Sequence, residues 1–234
     1  MSGTKTRALK AAFPYTIPIL TGFLFVGLAY GIYMRAAGFG IIFPVIISMM
    51  AFAGSMQFVA VGLLLAAFDP LNAFILTLMV NARHLFYGIA MLEKYNIPGL
   101  RRIFLIFGMC DESFSINSLA EPPEDVDSGW FMFFVTLLNY SYWAIGTAVG
   151  GLFGSLIKFS TAGIDFVIPA LVTTLFLEQW FKEKKHYSSL LGLGLSLISL
   201  LIFGSSRFII PAMVLIIAAL TALQKPIEKA GAAQ

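Results

Sequence analysis

The sequence predicts an all-α polytopic membrane protein, and three observations point there. Of its 234 residues, 59% are hydrophobic and only 12% are charged, against about 25% charged in soluble domains. Mean hydropathy is +0.89. Apolar runs near the length of about 20 residues that crosses a bilayer recur along the chain, each bounded by polar punctuation. One membrane domain, 1–234, fills this length, leaving only loops outside it. The formal net charge of +3 reflects basic loops and tails and implies no nucleic-acid partner.

The segments follow in order. Residues 1–10 are polar and basic. The first apolar segment, 13–34, is too long for a signal-peptide core and reads as retained. Seven more follow at 41–67, 71–92, 103–119, 130–156, 163–181, 188–206 and 208–224. They are separated by 35–40, Asp69-Pro70, 93–102, 121–129, 158–162, 182–187 and a tight turn around Ser205-Ser206-Arg207. Segment 41–67 carries Ala53-Gly54-Ser55-Met56-Gln57 in its middle, and 163–181 carries Pro169 and Glu178-Gln179. Both read as broken, because membranes tolerate unwound backbone where it is buried in protein or lines a cavity.

The two broken segments hint at a repeat. Gly38-Phe39-Gly40-Ile41-Ile42-Phe43-Pro44 resembles Gly163-Ile164-Asp165-Phe166-Val167-Ile168-Pro169, and Gly27 and Gly31 match Gly150 and Gly154 in spacing. The repeat halves would be 13–119 and 130–224. Charge placement agrees if the second and sixth segments are re-entrant. The loop with Lys94, Arg101 and Arg102 then falls inside with the basic N-terminus, as the positive-inside tendency asks. The acidic loop with Glu121, Glu124, Asp125 and Asp127 falls outside. The two halves become inverted repeats, giving six spans plus two re-entrant segments. Eight full spans is the alternative. The Gly-x-x-x-Gly pairs at 27/31 and 150/154 mark close helix packing.

Polar groups concentrate in segments two to six, which argues for one cavity. Asn81-Ala82-Arg83-His84 lies at membrane depth, where an ionisable group is expensive and is a functional-site hypothesis by default. Around it stand Ser55 and Gln57, Asp111, Glu112, Ser113, Ser115 and Asn117, then Asn139, Tyr140, Ser141 and Tyr142, and Thr173, Thr174, Glu178 and Gln179. A zwitterionic ligand needs an anion site and a cation site near the midplane. A broken helix at Gly54-Ser55 would offer backbone N–H groups to a carboxylate, with Gln57, Asn81 and Arg83 assisting. Asp111, Glu112 or Glu178 would meet an ammonium. For ion coupling the candidates are His84, whose ordinary pKa of about 6.5 lies in the physiological range, and the carboxylates Asp111, Glu112 and Glu178.

A catalytic reading finds little support. His84 and His186 are the only histidines, so no metal-ligand cluster is expected, and no phosphate-binding glycine loop is present. No cofactor is expected. Ser55, His84 and Asp111 would supply an intramembrane hydrolase only if the fold assembled them. A structural or assembly subunit of the membrane is the other alternative. Cys110, the sole cysteine, forms no internal disulfide.

Three stretches carry a family resemblance. These are Gly22-Phe23 with Gly27-Leu28-Ala29-Tyr30-Gly31, then Phe52-Ala53-Gly54-Ser55-Met56-Gln57-Phe58, then Val80-Asn81-Ala82-Arg83-His84-Leu85-Phe86-Tyr87-Gly88. With Cys110-Asp111-Glu112-Ser113-Phe114, they resemble the AzlC family of bacterial branched-chain amino acid exporters. The resemblance covers most of the chain and is most specific before residue 120. It implies a multi-pass inner-membrane transporter that exports leucine, isoleucine, valine or related neutral amino acids, with a cytoplasmic N-terminus. It also implies a small, separately encoded membrane subunit of the AzlD type.

Overall fold

In a computed structural model of the chain, the described residues are 2–81, 83–154, 186–204 and separate positions within 173–181 and 208–223. Among them all regular structure is helical. The first unit, Met1–Asp165, contains α1 (Ser2–Ala36), α2 (Ile42–Ala51), α3 (Gly54–Leu65), α4 (Pro70–Asn81), α5 (Arg83–Ala90), α6 (Leu100–Phe107), α7 (Asp111–Leu119) and α8 (Ser128–Phe153). The second unit, Phe166–Gln234, contains α9 (Tyr187–Phe203).

Among the described residues, α1 and α8 are the helices long and apolar enough to cross a bilayer alone. At about 1.5 Å per residue, α1 runs roughly 52 Å, well beyond the hydrocarbon thickness of about 30 Å. Helix therefore begins at Ser2, earlier than the expected segment 13–34, and carries the basic N-terminal residues out of the apolar layer. Pro14 and Pro18 lie inside α1 and remove two ladder donors. Hydroxyls fill in locally: Thr16 Oγ1 donates to the Phe13 carbonyl at 2.9 Å and Thr21 Oγ1 to the Pro18 carbonyl at 3.1 Å.

Glycine sets how α1 meets α8. A Cβ on Gly27 would stand 2.9 Å from the Trp143 carbonyl, and one on Gly146 would stand 2.8 Å from the Leu24 carbonyl. Cβ atoms on Gly31 and Gly150 would overlap the Thr147 and Leu28 carbonyls outright. Backbone touches backbone, as small-residue packing in membranes requires. The expected close-packing role of these glycines is what the structure shows.

The contacts also fix direction. Lys5 lies over the Trp130 ring, Tyr15 meets Phe131, Phe23 meets Trp143, and Arg35 meets Gly154. Numbers rise together, so α1 and α8 run parallel, and their N-termini share one face. An inverted relation between halves opening at 13 and 130 needs those opening helices opposed, and they are not.

Between them the chain makes two re-entrant hairpins. The α2–α3 hairpin starts beside Gly151, where Ile41 and Pro44 pack. It reaches Tyr140 at Phe52 and turns back, so that Phe58 meets Tyr30 and Tyr33. A hydrogen bond from Gln57 Nε2 to Ser48 Oγ, 2.8 Å, joins positions nine apart. In a straight helix these would stand roughly 13.5 Å apart along the axis, beyond the reach of the two side chains. The break expected in segment 41–67 is therefore present, at Phe52-Ala53.

Next, α4 and α5 return the chain to the N-terminal face. Asp69 starts α4, accepting Asn72 N–H at 3.0 Å, with Pro70 in the first helical position, where its missing N–H costs nothing. The axis bends by 49° between Pro70–Leu78 and Arg83–Ala90. After α5, Met91 and Tyr95 join a buried cluster with Ala12, Leu105, Phe131, Met132 and Val135.

The second hairpin, α6–α7, enters from that same face. Arg101 lies against Trp130 and Asp127, and Phe104 and Phe107 reach Tyr140. The chain breaks at Gly108, where a Cβ would overlap Thr136 Cγ2. It then returns along α8: Ser113 meets Asn139 and Asn117 meets Thr136. Segment 103–119 was expected to cross. It does not, because α6 and α7 are each only about 12–14 Å long and run in opposite directions. The acidic loop therefore lies on the same face as the N-terminus and the 93–102 loop, opposite to the charge-based expectation. Two ion pairs mark this, Arg7 to Asp125 at 3.4 Å and Arg101 to Asp127 at 3.8 Å.

Of the eight expected segments, 13–34 and most of 130–156 lie in helices long enough to cross, 71–92 is a pair of helices bent by 49°, and 41–67 and 103–119 turn back. The expected break in 163–181 falls mostly outside the described residues. Segment 188–206 corresponds to α9, which ends at Gly204 (φ 71°). In the second unit, His186 stacks on Trp180 with ring centres 3.9 Å apart.

Candidate functional site

The hairpin tips meet halfway along α8, and two side chains bridge them. From α5, Arg83 places Nε 3.0 Å from Asp111 Oδ1, at the start of α7. Its NH2 group donates to Ser55 Oγ in the first turn of α3, at 3.4 Å. From α8, Tyr140 donates its hydroxyl to the Met49 carbonyl at 2.7 Å and lays its ring against Phe52, Phe104 and Phe107. Each of the three helix interruptions thus contributes one member to the polar centre: Ser55, Arg83 and Asp111.

Helix breaks make this chemistry available. Gly54, Ser55 and Met56 open α3 without a side-chain cap, so their N–H groups have no intrahelical acceptor. Asp111 and Glu112 occupy the first turn of α7, where the helix dipole favours negative charge. The Arg83 and Asp111 side chains remain 42% and 35% exposed, while Asp111 Oδ1, the atom that meets Arg83, is itself buried. Asp111 Oδ1 receives no well-aligned hydrogen bond despite its charge contact, leaving it acceptor capacity. Beside the ion pair, Tyr87 stacks on Phe114 with centres 4.2 Å apart, and its hydroxyl interacts with the Asp111 carboxylate.

The other expected residues fall into three groups. His84 Nδ1 lies 3.2 Å from the Asn81 carbonyl. A carbonyl only accepts, so Nδ1 carries the hydrogen there. Gln57 is 2% exposed and committed at both ends of its amide, accepting from Trp143 Nε1 and donating to Ser48 Oγ, each at 2.8 Å. Ser48 in turn pairs with Thr147 at 3.0 Å. Gln57 thus holds the α2–α3 hairpin in shape. Glu178 lies outside the described residues. The hydrolase alternative loses its relay, since Ser55 and Asp111 both meet Arg83 and His84 meets a carbonyl.

Sequence reasoning missed Tyr140, Asn139 and Trp143 as the platform for both hairpins. Their polar atoms were visible at membrane depth, but their partners lie 26 residues upstream for Asn139, 86 for Trp143 and 91 for Tyr140. It also missed Phe52, a non-glycine residue at φ 39°. That conformation costs roughly 1–2 kcal/mol, and the ring held against Tyr140 is what glycine would lack.

Two long parallel apolar helices, two opposed helical hairpins and a charged centre at their meeting point define a helical membrane protein with a polar site beside the middle of α8. The AzlC protein family model matches residues 18–157, and this chain belongs to that family. It is 64% identical over 223 residues to the "Branched-chain amino acid transport protein AzlC" of Bacillus subtilis (strain 168), covering 95% of this chain and 88% of the relative. An "Uncharacterized membrane protein" of Haemophilus influenzae is 49% identical, covering 89% and 86%. The "Inner membrane protein YgaZ" of Escherichia coli is 25% identical, covering 73% and 72%. No solved structure matches.

Proposed function

We propose that the chain is a secondary transporter that exports branched-chain or related neutral amino acids across the bacterial inner membrane. The Arg83–Asp111 pair carries this reading. It presents opposite charges 3.0 Å apart on partly exposed side chains, beside two helix N-termini and the Tyr87–Phe114 stack. A zwitterionic amino acid would separate the pair, its carboxylate meeting Arg83, Ser55 and the free N–H groups of α3. Its ammonium would meet Asp111, with Glu112 alongside. Gly54 lets the start of α3 pack against the Trp143 ring, where a Cβ would stand 3.2 Å from Cη2, and Asn81 and Gln57 act by shaping the surrounding breaks. The name printed for the Bacillus relative supports the substrate class.

Lys5, Arg7, Lys10, Lys94, Arg101 and Arg102 share the N-terminal face, which favours a cytoplasmic N-terminus. Export against a gradient needs a driving ion, and we take it to be the proton, carried by His84 or by Asp111, Glu112 or Glu178. A small AzlD-type membrane subunit completes the transporter. The test is efflux of labelled leucine or valine from loaded vesicles carrying the chain with that subunit. Chain-dependent efflux that rises with an imposed pH gradient is expected. Correctly assembled protein that moves no amino acid would reject the reading. Flux indifferent to the gradient would remove only the proton.

A further inference from the structure

We propose that Tyr140 is a positioning residue that clasps the two hairpin tips together and keeps the polar centre open to one face at a time. The hairpins enter from opposite faces, so a ligand arriving from either side passes a different hairpin. Each hairpin has buried anchors away from its tip. For α2–α3 these are Ser48 with Thr147 and Gln57 with Trp143. For α6–α7 they are Ser113 with Asn139 and Asn117 with Thr136. The tips are held differently. Arg83 joins them on the polar side through Ser55 and Asp111. Tyr140 joins them on the apolar side, with its hydroxyl on the Met49 carbonyl and its ring against Phe52, Phe104 and Phe107.

The hydroxyl bond has the character of a releasable joint. The end of α2 leaves its last carbonyls without intrahelical donors, and Met49 takes its donor from another helix. This bond is exposed, whereas the anchors are buried. Phe52 is kept at positive φ beside the same ring, and strain of that kind, held in place by its surroundings, clusters at switch regions. A ligand that draws Arg83 away from Ser55 and Asp111 would undo one clasp and leave Tyr140 as the remaining tie between the tips.

The inference rests on the transport reading, but its first readout needs no flux. Ala53→Cys in a Cys110→Ser background places a thiol at the α2–α3 tip. In right-side-out and inverted vesicles, an impermeant maleimide should label it from one face. Adding Tyr140→Phe, which keeps the ring and removes the hydroxyl, should open labelling from the other face by roughly tenfold. That is the shift expected when one hydrogen bond no longer biases a two-state equilibrium. Phe107→Ala, which removes the ring contact from the other hairpin, should do the same. Labelling that stays one-sided in both variants would overturn the proposal. So would loss of the melting transition in both, since the contacts would then be structural only. Two-sided labelling in a protein that transports no amino acid would uphold the clasp and reject the transport reading instead.

Discussion

Replacing Arg83 with Gln separates a ligand-binding role from a structural one. Breaking a dry, buried ion pair leaves a charge unpaired and costs roughly 3–5 kcal/mol. The Arg83–Asp111 pair is not in that regime. Asp111 Oδ1 is buried, but the side chains are 42% and 35% exposed, which puts the pair nearer the exposed limit of about 0–1 kcal/mol. For a chain of this length, a loss near 1 kcal/mol lowers the melting midpoint by roughly 2–4 °C. Arg83→Gln should therefore assemble and melt within a few degrees of the parent. Transport should fall much further. A charged hydrogen bond to a substrate carboxylate is worth about 1.5–3 kcal/mol, which corresponds to about ten- to hundredfold in apparent substrate affinity. The assays are melting of the detergent-purified protein and efflux over a range of substrate concentrations. If Arg83→Gln abolishes assembly and Asp111→Asn restores it, the pair is a structural counter-ion and the reasoning fails.

Three further outcomes are expected. Gly150→Ala drives a Cβ into the Leu28 carbonyl and should destabilise the protein by about 1–3 kcal/mol, while Gly192→Ala, with open space around it, should melt like the parent. Gln57→Leu leaves Trp143 Nε1 without its acceptor and should cost roughly 1–3 kcal/mol, read as a lowered melting midpoint with loss of assembled protein. Single cysteines at Asn96 and Glu124, in a Cys110→Ser background, should be labelled from the same face, and labelling from opposite faces would reject the α6–α7 hairpin.

The parts of this architecture that could be read from the sequence are those where glycine or charge interrupts an apolar run. The Gly54-Ser55 break was visible because small and polar residues sit in mid-segment. The break at Gly108-Met109-Cys110 was hidden, because methionine and cysteine continue the apolar pattern and one glycine does not distinguish close packing from a turn. The face of the acidic loop was misjudged by giving Asp and Glu a vote. Topology follows Lys and Arg, and carboxylates contribute little, so Asp125 and Asp127 are free to pair with Arg7 and Arg101. Arg83 and Asp111 stood out by their cost at depth. Gln57 stood out by its place in the Gly-Ser break, yet its partners Ser48 and Trp143 are polar or amphipathic groups whose pairing only the fold decides.

The platform on α8 has a consequence for how the protein is made. Both hairpins are held to α8, through Met49 and Tyr140, Gln57 and Trp143, and Ser113 and Asn139. None of those α8 residues exists while α2, α3, α6 and α7 are leaving the ribosome. Synthesis of the stretch between Ala36 and Ser128 takes roughly 5–20 s at ordinary elongation rates. Through that interval neither hairpin is long enough to settle across the bilayer, and α1 has no glycine-lined partner. Insertion must therefore hold these short helices at the lipid surface or against the insertion machinery, and the packing of both hairpins is completed only when α8 arrives.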